Sequence, residues 1–408
     1  MTNPVFLVGA FGLALVLTLM GFMAPAAVLS DIIAVWGLSN AEAGWLGGAL
    51  FMGYIATVPI LTAYTDRIDP KRIYLTCAAI GAIGNFGFGF IADGLWSGVL
   101  FRVLTGIGLA GTFMPGLKAL SDQLPPGKVQ QRGSTYYSSF FALGSGGSIL
   151  IAGVTAQFFD WQWAFAFAGI GGLCALTIVA IVLPANPPAP VAEDAGAALD
   201  FRPVLRDRGV MSYVVSSLGT AWEVFSARVW LVTFFLYLQS SMLAGETGWS
   251  PALWATLVAL IGVPAAMIVG ELCVRYDRRR IVMGIALASG MFAACIGLSM
   301  DGPYELTVLV CLIFGMTSYG RSATINAGTI AAANPARRGS ALAVLAFIGF
   351  SGGILGPYAF GMALDHAGGS GNLLAWKIAM VVMAVGGAIT FLSLLAGPKA
   401  KKVADKAT

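Results

Sequence analysis

Long apolar segments separated by short polar ones recur twelve times along the chain. An α-helix needs about 20 apolar residues to cross the hydrocarbon layer of a bilayer, and each segment is long enough. We predict spans 1 to 12 at residues 5–34, 42–63, 73–92, 96–120, 133–158, 162–183, 211–240, 251–274, 281–300, 305–332, 339–364 and 373–396. The short connections leave little of the 408 residues for a domain outside the membrane.

The composition supports this interpretation. Apolar residues make up 58% of the chain and charged residues 10%, whereas soluble domains carry about 25% charged residues. The 53 glycines suit close contacts between helices in lipid. These figures exclude a soluble enzyme, a disordered regulator and a nucleic-acid binder. We expect an all-α membrane protein that acts as a monomer, with no cofactor and no nucleic-acid partner.

The basic residues predict the orientation. Of the 23 Lys and Arg residues, 19 fall on one side of the predicted membrane, in five connections and the C-terminal tail. Cytoplasmic loops are enriched in Lys and Arg, so both termini are expected in the cytoplasm. We expect the protein to lie in a bacterial cytoplasmic (inner) membrane.

A proline-rich connection divides the twelve spans into six and six. It predicts an N-terminal bundle at 1–184, a cytoplasmic linker at 185–209, and a C-terminal bundle with a short tail at 210–408.

The two halves repeat each other. Arg132-Gly133-Ser134 before span 5 recurs as Arg338-Gly339-Ser340 before span 11, an offset of 206. The connection at 66–72 corresponds to 274–280, an offset of 208. Two homologous halves imply a pseudo-two-fold axis along the membrane normal, with a site between them.

The chain resembles the major facilitator superfamily of secondary transporters. Between spans 2 and 3 the family signature has Gly, Asp, a basic residue, Gly and two further basic residues. The corresponding residues here are Thr62, Asp66, Arg67, Asp69, Lys71 and Arg72, with Pro70 as an insertion. The half-repeat has Gly270, Val274, Arg275, Asp277, Arg278 and Arg279, and span 4 carries Arg102, Gly106 and Gly108.

The resemblance covers the whole chain and implies two pseudo-symmetric six-helix bundles. It also implies alternating access around a central cavity formed mainly by spans 1, 4, 7 and 10. A gating role is implied for Asp66, Arg67, Arg72, Arg275 and Asp277. Span 5 lacks the glycine-proline pattern of antiporters, because Gly144–Gly147 contains no proline, and this favours symport over drug antiport.

Four ionisable side chains fall inside the predicted spans: Arg102, Glu223, Arg228 and Arg321. Each costs about 2.5–3.5 kcal/mol or more at the centre of a span, so each is a functional candidate. Arg321 shares a small, polar helix face with Ser318 and Thr324, which is typical of a cavity. It could contact substrate or pair permanently with Glu223. Glu223 in turn could carry a coupling proton or serve as the structural partner of an arginine.

For the other two arginines we expect structural roles. Arg228 is expected to snorkel or to make a cross-helix contact. The family pattern makes Arg102 a buried tether near span 1, with a coupling role as the alternative. The four groups carry an excess of two positive charges, which an anion would reduce.

We therefore expect a secondary transporter of a small organic anion, most simply a carboxylate, with proton-coupled symport as the first hypothesis. The alternatives are efflux of amphipathic compounds and a substrate sensor that does not translocate. We find no catalytic set of residues and do not expect an enzyme. The candidate substrate-binding residues are Arg321, Glu223, Ser318, Thr324, Trp230, Met114 and Phe22.

Overall fold

The computed structural model describes residues 3–65, 67–184, 201–242, 249–334 and 337–398. Every regular element in these ranges is a helix. The helices are α1 Pro4–Leu19, α2 Ala24–Ala27, α3 Leu29–Trp36, α4 Asn40–Gly48, α5 Leu50–Tyr64, α6 Pro70–Phe90, α7 Leu95–Gln123, α8 Lys128–Phe158, α9 Gln162–Val182, α10 Arg202–Arg206, α11 Arg208–Met242, α12 Pro251–Leu260, α13 Gly262–Arg275, α14 Arg278–Ser299, α15 Tyr304–Gly320, α16 Ser322–Ala332, α17 Arg338–His366 and α18 Leu373–Ala396.

Eleven helical stretches among the described residues are long and apolar enough to cross a membrane. They match predicted spans 2 to 12, so the all-α membrane fold with two pseudo-symmetric six-helix bundles is confirmed. Spans 2, 8 and 10 each consist of two consecutive helices, α4–α5, α12–α13 and α15–α16. Span 1 is the exception to the length criterion, because it is divided into α1, α2 and α3.

The break in span 1 lies beside a proline. Pro25 has no N–H to donate to the carbonyl of Gly21, four residues earlier. Ala26 N donates to Met23 O instead of Phe22 O, at 3.1 Å. The carbonyls of Gly21 and Phe22 are therefore without helical partners in the middle of the bundle.

The helices of each half pack against one another. In the N-terminal half α6 packs against α7 and α9, and α1 packs against α8 and α9. In the C-terminal half α11 packs against α17 and α18, and α14 packs against α15 and α18.

The repeat is visible as two equivalent helix caps. Asp69 accepts from Lys71 N at the start of α6, and Asp277 accepts from Arg279 N at the start of α14, both at 2.9 Å. Lys71 Nζ then donates to Ala180 O (2.8 Å) and Leu183 O at the end of α9. Arg279 donates in the same way to the carbonyls of Leu395, Gly397 and Pro398 at the end of α18. Both pairs are 208 residues apart, which is the offset of the sequence repeat.

The halves meet through a few helices. Helices α4 and α5 contact α17, α8 contacts α12, and α2 contacts α11. At position 48 an added Cβ would lie 2.8 Å from Ile354 Cα and 2.9 Å from Gly353 O, so glycine is needed for this approach. We call the end of the molecule that carries Asn40 and Asp365 the sealed end.

The predicted domain limits at 184 and 210 stay a prediction. Residues 185–200 of the predicted linker lie outside the described residues, as do Asp66 and the C-terminal lysines from Lys399 onward. Helix α10 falls inside the predicted linker and packs against α11 and α17.

Candidate functional site

Arg102 on α7 occupies the break in span 1. Its Nη1 donates to Gly21 O and its Nη2 to Phe22 O, both at 2.7 Å. The guanidinium is almost completely buried, with 1% of the residue exposed. The arginine thus satisfies the two carbonyls that the break in span 1 leaves free, and it contacts the backbone at Phe22.

Arg321 lies between α15 and α16, where the helix of span 10 is interrupted. Its Nη2 forms an ion pair with Glu223 Oε2, and its Nε donates to Thr220 Oγ1 at 3.0 Å. Ser289 Oγ donates to the same Glu223 oxygen at 2.7 Å. The structure therefore brings Arg321 and Glu223 together, and neither side chain has any exposed surface.

The recorded contacts of this ion pair, among the described residues, all belong to the C-terminal half. Glu223 lies on α11, Ser289 on α14 and Arg321 beside α15, and a Cβ added to Gly387 of α18 would lie 2.7 Å from Glu223 Oε1. Arg321 Nη1 and Glu223 Oε1 are buried and have no hydrogen-bond partner among the described residues. Substrate binding by this pair stays a prediction.

The remaining candidates are distributed over four environments. Ser318 and Thr324 are buried beside Arg321, and Thr324 Oγ1 donates to Arg321 O at 2.6 Å. Trp230 is buried, stacks on Phe360 at 5.5 Å and donates to Pro357 O at 3.0 Å. Met114 on α7 is 40% exposed. Phe22 packs against Phe51 of span 2 and Phe225 of span 7, so it lies where the two halves meet.

Arg228, five residues after Glu223 on α11, has different surroundings. Its guanidinium carbon lies 5.1 Å from the ring centroid of Tyr319, 5.7 Å from Phe225 and 6.0 Å from Phe22. It is half-buried, and among the described residues it has no carboxylate within ion-pair distance. Its Nε is buried and has no hydrogen-bond acceptor among the described residues.

An aromatic cluster, two of whose rings lie beside this cation, joins the two halves. It consists of Phe22, Phe51, Phe141, Phe225 and Phe350. The ring centroids of Phe51 and Phe225 are 4.3 Å apart, and Phe51 stacks on Phe350 at 5.5 Å. Phe22 contacts Phe225 at 6.4 Å and Phe141 at 5.9 Å. Arg228 therefore lies at the boundary between the bundles, beside Phe22 of the N-terminal half.

The helical pattern around Arg228 did not predict this environment, because it relates Arg228 only to residues of its own helix. Two of the three rings come from other spans, Phe22 from span 1 and Tyr319 from span 10. Phe225, three residues before Arg228 on the same helix, is the one of the three rings whose proximity the sequence could indicate.

The gating candidates that the structure describes lie at the surface. Arg67 and Arg72 are exposed, and Asp66 lies outside the described residues. Arg275 pairs with Glu271 at 2.9 Å, both exposed, and Asp277 caps α14. Their gating role stays a prediction. Among the described residues no group of three or more His, Cys, Asp or Glu side chains could hold a metal ion.

This chain is an all-helical integral membrane protein built from two related halves. Its class is indicated by the membrane-length helices, the broken first span and the cations inside the bundle. A family model described as the Major Facilitator Superfamily matches residues 10–357 and, in a second match, residues 231–408. The chain belongs to the major facilitator superfamily, a superfamily of membrane transporters.

Similar proteins are transporters of small organic compounds. The 4-hydroxybenzoate transporter PcaK of Acinetobacter baylyi is 27% identical over 324 residues, covering 71% of this chain and 69% of the relative. The niacin transporter NiaP of the same organism is 26% identical over 155 residues, which is 38% of this chain and about a third (34%) of that relative. A crystal structure of a bacterial homologue of the human lysosomal transporter Spinster, inward-facing and unoccupied, has the same fold. Its TM-score is 0.76 at 17% identity, with 97% of this chain and 98% of that chain covered.

Proposed function

We propose that this protein carries a small organic carboxylate across the membrane by alternating access, and that Arg228 binds the carboxylate. The difference between three arginines carries the proposal. Arg102 donates to backbone carbonyls and Arg321 pairs with Glu223, whereas Arg228 is surrounded by rings. A cation at this depth is stabilised by a counter-anion, and the planar guanidinium matches a carboxylate.

The substrate class that fits best is an aromatic monocarboxylate. Cation–π contacts occupy the faces of a guanidinium and leave N–H groups at its edge for a carboxylate. The rings of Phe22, Phe225 and Tyr319 beside the cation can pack against a flat aromatic substrate. The relatives named above support this class, because 4-hydroxybenzoate and niacin are both aromatic carboxylates.

The coupling we propose is symport with a proton that Glu223 carries. Glu223 is a fully buried carboxylate held by Arg321 and Ser289, and its protonation would weaken both interactions. Glu223 and Arg228 lie on the same helix, α11, so a movement of this helix changes the surroundings of both groups. Uptake through the cytoplasmic membrane is the direction that the missing antiporter pattern favours.

Transport in proteoliposomes tests the proposal. Purified protein should accumulate labelled 4-hydroxybenzoate when a pH gradient is imposed. Arg228→Ala should reduce the uptake rate at least about tenfold, because it removes a charge-assisted contact in a desolvated site. Arg228→Lys should retain part of the rate, since an ammonium keeps the charge and loses the planar fork.

Arg280→Ala is the matched control, because Arg280 is an exposed arginine at the start of α14, and its rate should equal that of the parent protein. Uptake by correctly folded Arg228→Ala at the parental rate would exclude Arg228 as the anchor. Binding of the acid without counterflow would instead indicate a sensor and overturn the transport proposal.

A further inference from the structure

The sealed end contains a helix cap whose two parts belong to different halves of the molecule. Asp365, near the end of α17, accepts hydrogen bonds from Asn40 N (3.0 Å) and Asn40 Nδ2 (2.7 Å) through Oδ1. Its Oδ2 accepts from Ala41 N at 2.8 Å. Asn40 and Ala41 are the first two residues of α4, so a carboxylate of the C-terminal half completes the start of a helix in the N-terminal half.

The helix has a cap of its own, and it leaves these donors free. Ser39 and Glu42 form a capping box, with Glu42 N donating to Ser39 Oγ and Ser39 N donating to Glu42 Oε2. That box satisfies the third N–H of the helix and none of the first two. The backbone N–H groups of Asn40 and Ala41 therefore depend on Asp365 in this conformation, or on water when the halves separate.

The packing beneath the cap brings the two halves into close contact at this end. A Cβ added to Gly44 would collide with Pro357 O, and one added to Gly361 would collide with Asn40 O. Trp45 lies edge-on against Tyr358, with ring centroids 5.7 Å apart. Three hydrogen bonds join the halves above these contacts, and all three end on Asp365.

From these contacts we infer that Asp365 is the latch of the sealed end: its carboxylate binds the N-terminus of α4 in the closed conformation and releases it when this end opens. A negative charge at a helix N-terminus is favourable, and hydrogen bonds to a carboxylate are stronger than neutral ones. The latch thus stabilises one of the two states that alternating access requires. It does not depend on which solute is carried.

The distance between the halves at this end tests the inference without any substrate. Spin labels on Gly94→Cys and Gly371→Cys, in a background lacking the five native cysteines, report this distance by double electron–electron resonance. A Cβ at either glycine meets nothing within 4 Å, and the two positions belong to different halves at the sealed end. Asp365→Asn should lower the ratio of short to long distances about tenfold, because an amide offers one acceptor oxygen where two are used.

Two variants separate the latch from general effects on α4. Glu42→Gln alters the capping box within the N-terminal half and should leave the distance distribution unchanged. Asn40→Ala removes one of the three hydrogen bonds and should give an intermediate shift. Size-exclusion profiles and melting temperatures of the detergent-solubilised variants confirm that each remains folded.

A second readout covers the case in which the open state is rare. The alkylation rate of Tyr358→Cys by a bulky maleimide should rise about tenfold when Asp365→Asn is added, because the rate follows the open population. Unchanged distances and an unchanged alkylation rate in folded Asp365→Asn would overturn the inference. So would an equal shift in Glu42→Gln.

Discussion

The three intramembrane arginines differ in what compensates their charge. Arg102 has two carbonyl oxygens and Arg321 has a carboxylate, so both are occupied by the protein itself. Arg228 has aromatic faces, and a cation–π contact contributes about 0.5–2 kcal/mol. That is small against the several kcal/mol that removing an ion from water costs. This difference supports the proposal that Arg228 binds the anionic substrate.

The role of Glu223 can be tested by separating exchange from accumulation. Glu223→Gln keeps the shape of the side chain and resembles its protonated form, but it cannot release a proton. Exchange of labelled for unlabelled 4-hydroxybenzoate should continue, whereas accumulation driven by a pH gradient should be lost. Both are measured in the same proteoliposomes.

Asp301→Asn is the control for that experiment, because Asp301 is an exposed acid that pairs with Lys377. It should change neither exchange nor accumulation. If Glu223→Gln accumulates substrate as the parent does, Glu223 is not the proton carrier. If the folded variant loses exchange as well, its role is structural.

The residues of the site were predictable to different degrees. The tether role of Arg102 followed from the family pattern, and pairing of Arg321 with Glu223 was one of two alternatives. The surroundings of Arg228 could not be predicted, because Phe22 is 206 residues away along the chain and reaches it only through the packing of span 1 on span 7. The periodicity of one helix does not show which residues of another helix pack against it.

Among the elements, the interrupted helices place polar backbone inside the membrane. Irregular backbone at this depth is tolerated where other groups satisfy it. In span 1 that group is Arg102, and in span 10 the break brings Arg321 against Glu223. The continuous apolar run at 5–34 predicted a single helix, because hydropathy does not register that Pro25 withholds one hydrogen bond. Pro59, Pro115 and Pro357 lie inside uninterrupted helices, so a proline alone does not decide the outcome.

Arg102→Met should therefore destabilise the fold through span 1. It leaves Gly21 O and Phe22 O buried without donors, at about 1–3 kcal/mol for each group. We expect the melting temperature in detergent to fall by several degrees, and Arg102→Lys to recover part of the loss by reaching one carbonyl. Arg280→Met, at an exposed position, should melt as the parent does. An unchanged melting temperature in Arg102→Met would show that water can replace the guanidinium.

At the scale of the whole molecule, the repeat offset of 208 predicted equivalent connections, and the structure shows what they do. Lys71 and Arg279 each donate to carbonyl groups at the end of the last helix of their own half, α9 and α18. The contacts between the halves follow no such rule. They join residues far apart in the chain that the repeat does not relate, such as Asn40 and Asp365. The dependence of α4 on Asp365 could not be predicted for this reason, although the Ser39–Glu42 box marked the start of the helix.

If alternating access requires the sealed end to close, then filling one of the close glycine contacts between the halves should hold it open. Gly48→Ala places a methyl group 2.8 Å from Ile354 Cα, closer than real contacts allow, and backbone cannot move aside as a side chain can. We expect the distance between labels on Gly94→Cys and Gly371→Cys to lengthen and 4-hydroxybenzoate uptake to fall at least about tenfold. Gly147→Ala makes the same change inside helix α8, where an added Cβ meets nothing within 4 Å. Gly147→Ala therefore controls for the exchange of a helical glycine for alanine, and a difference between the two variants reports the surroundings of the added methyl group. Parental distances and uptake in Gly48→Ala would mean that this contact is not part of the transport cycle.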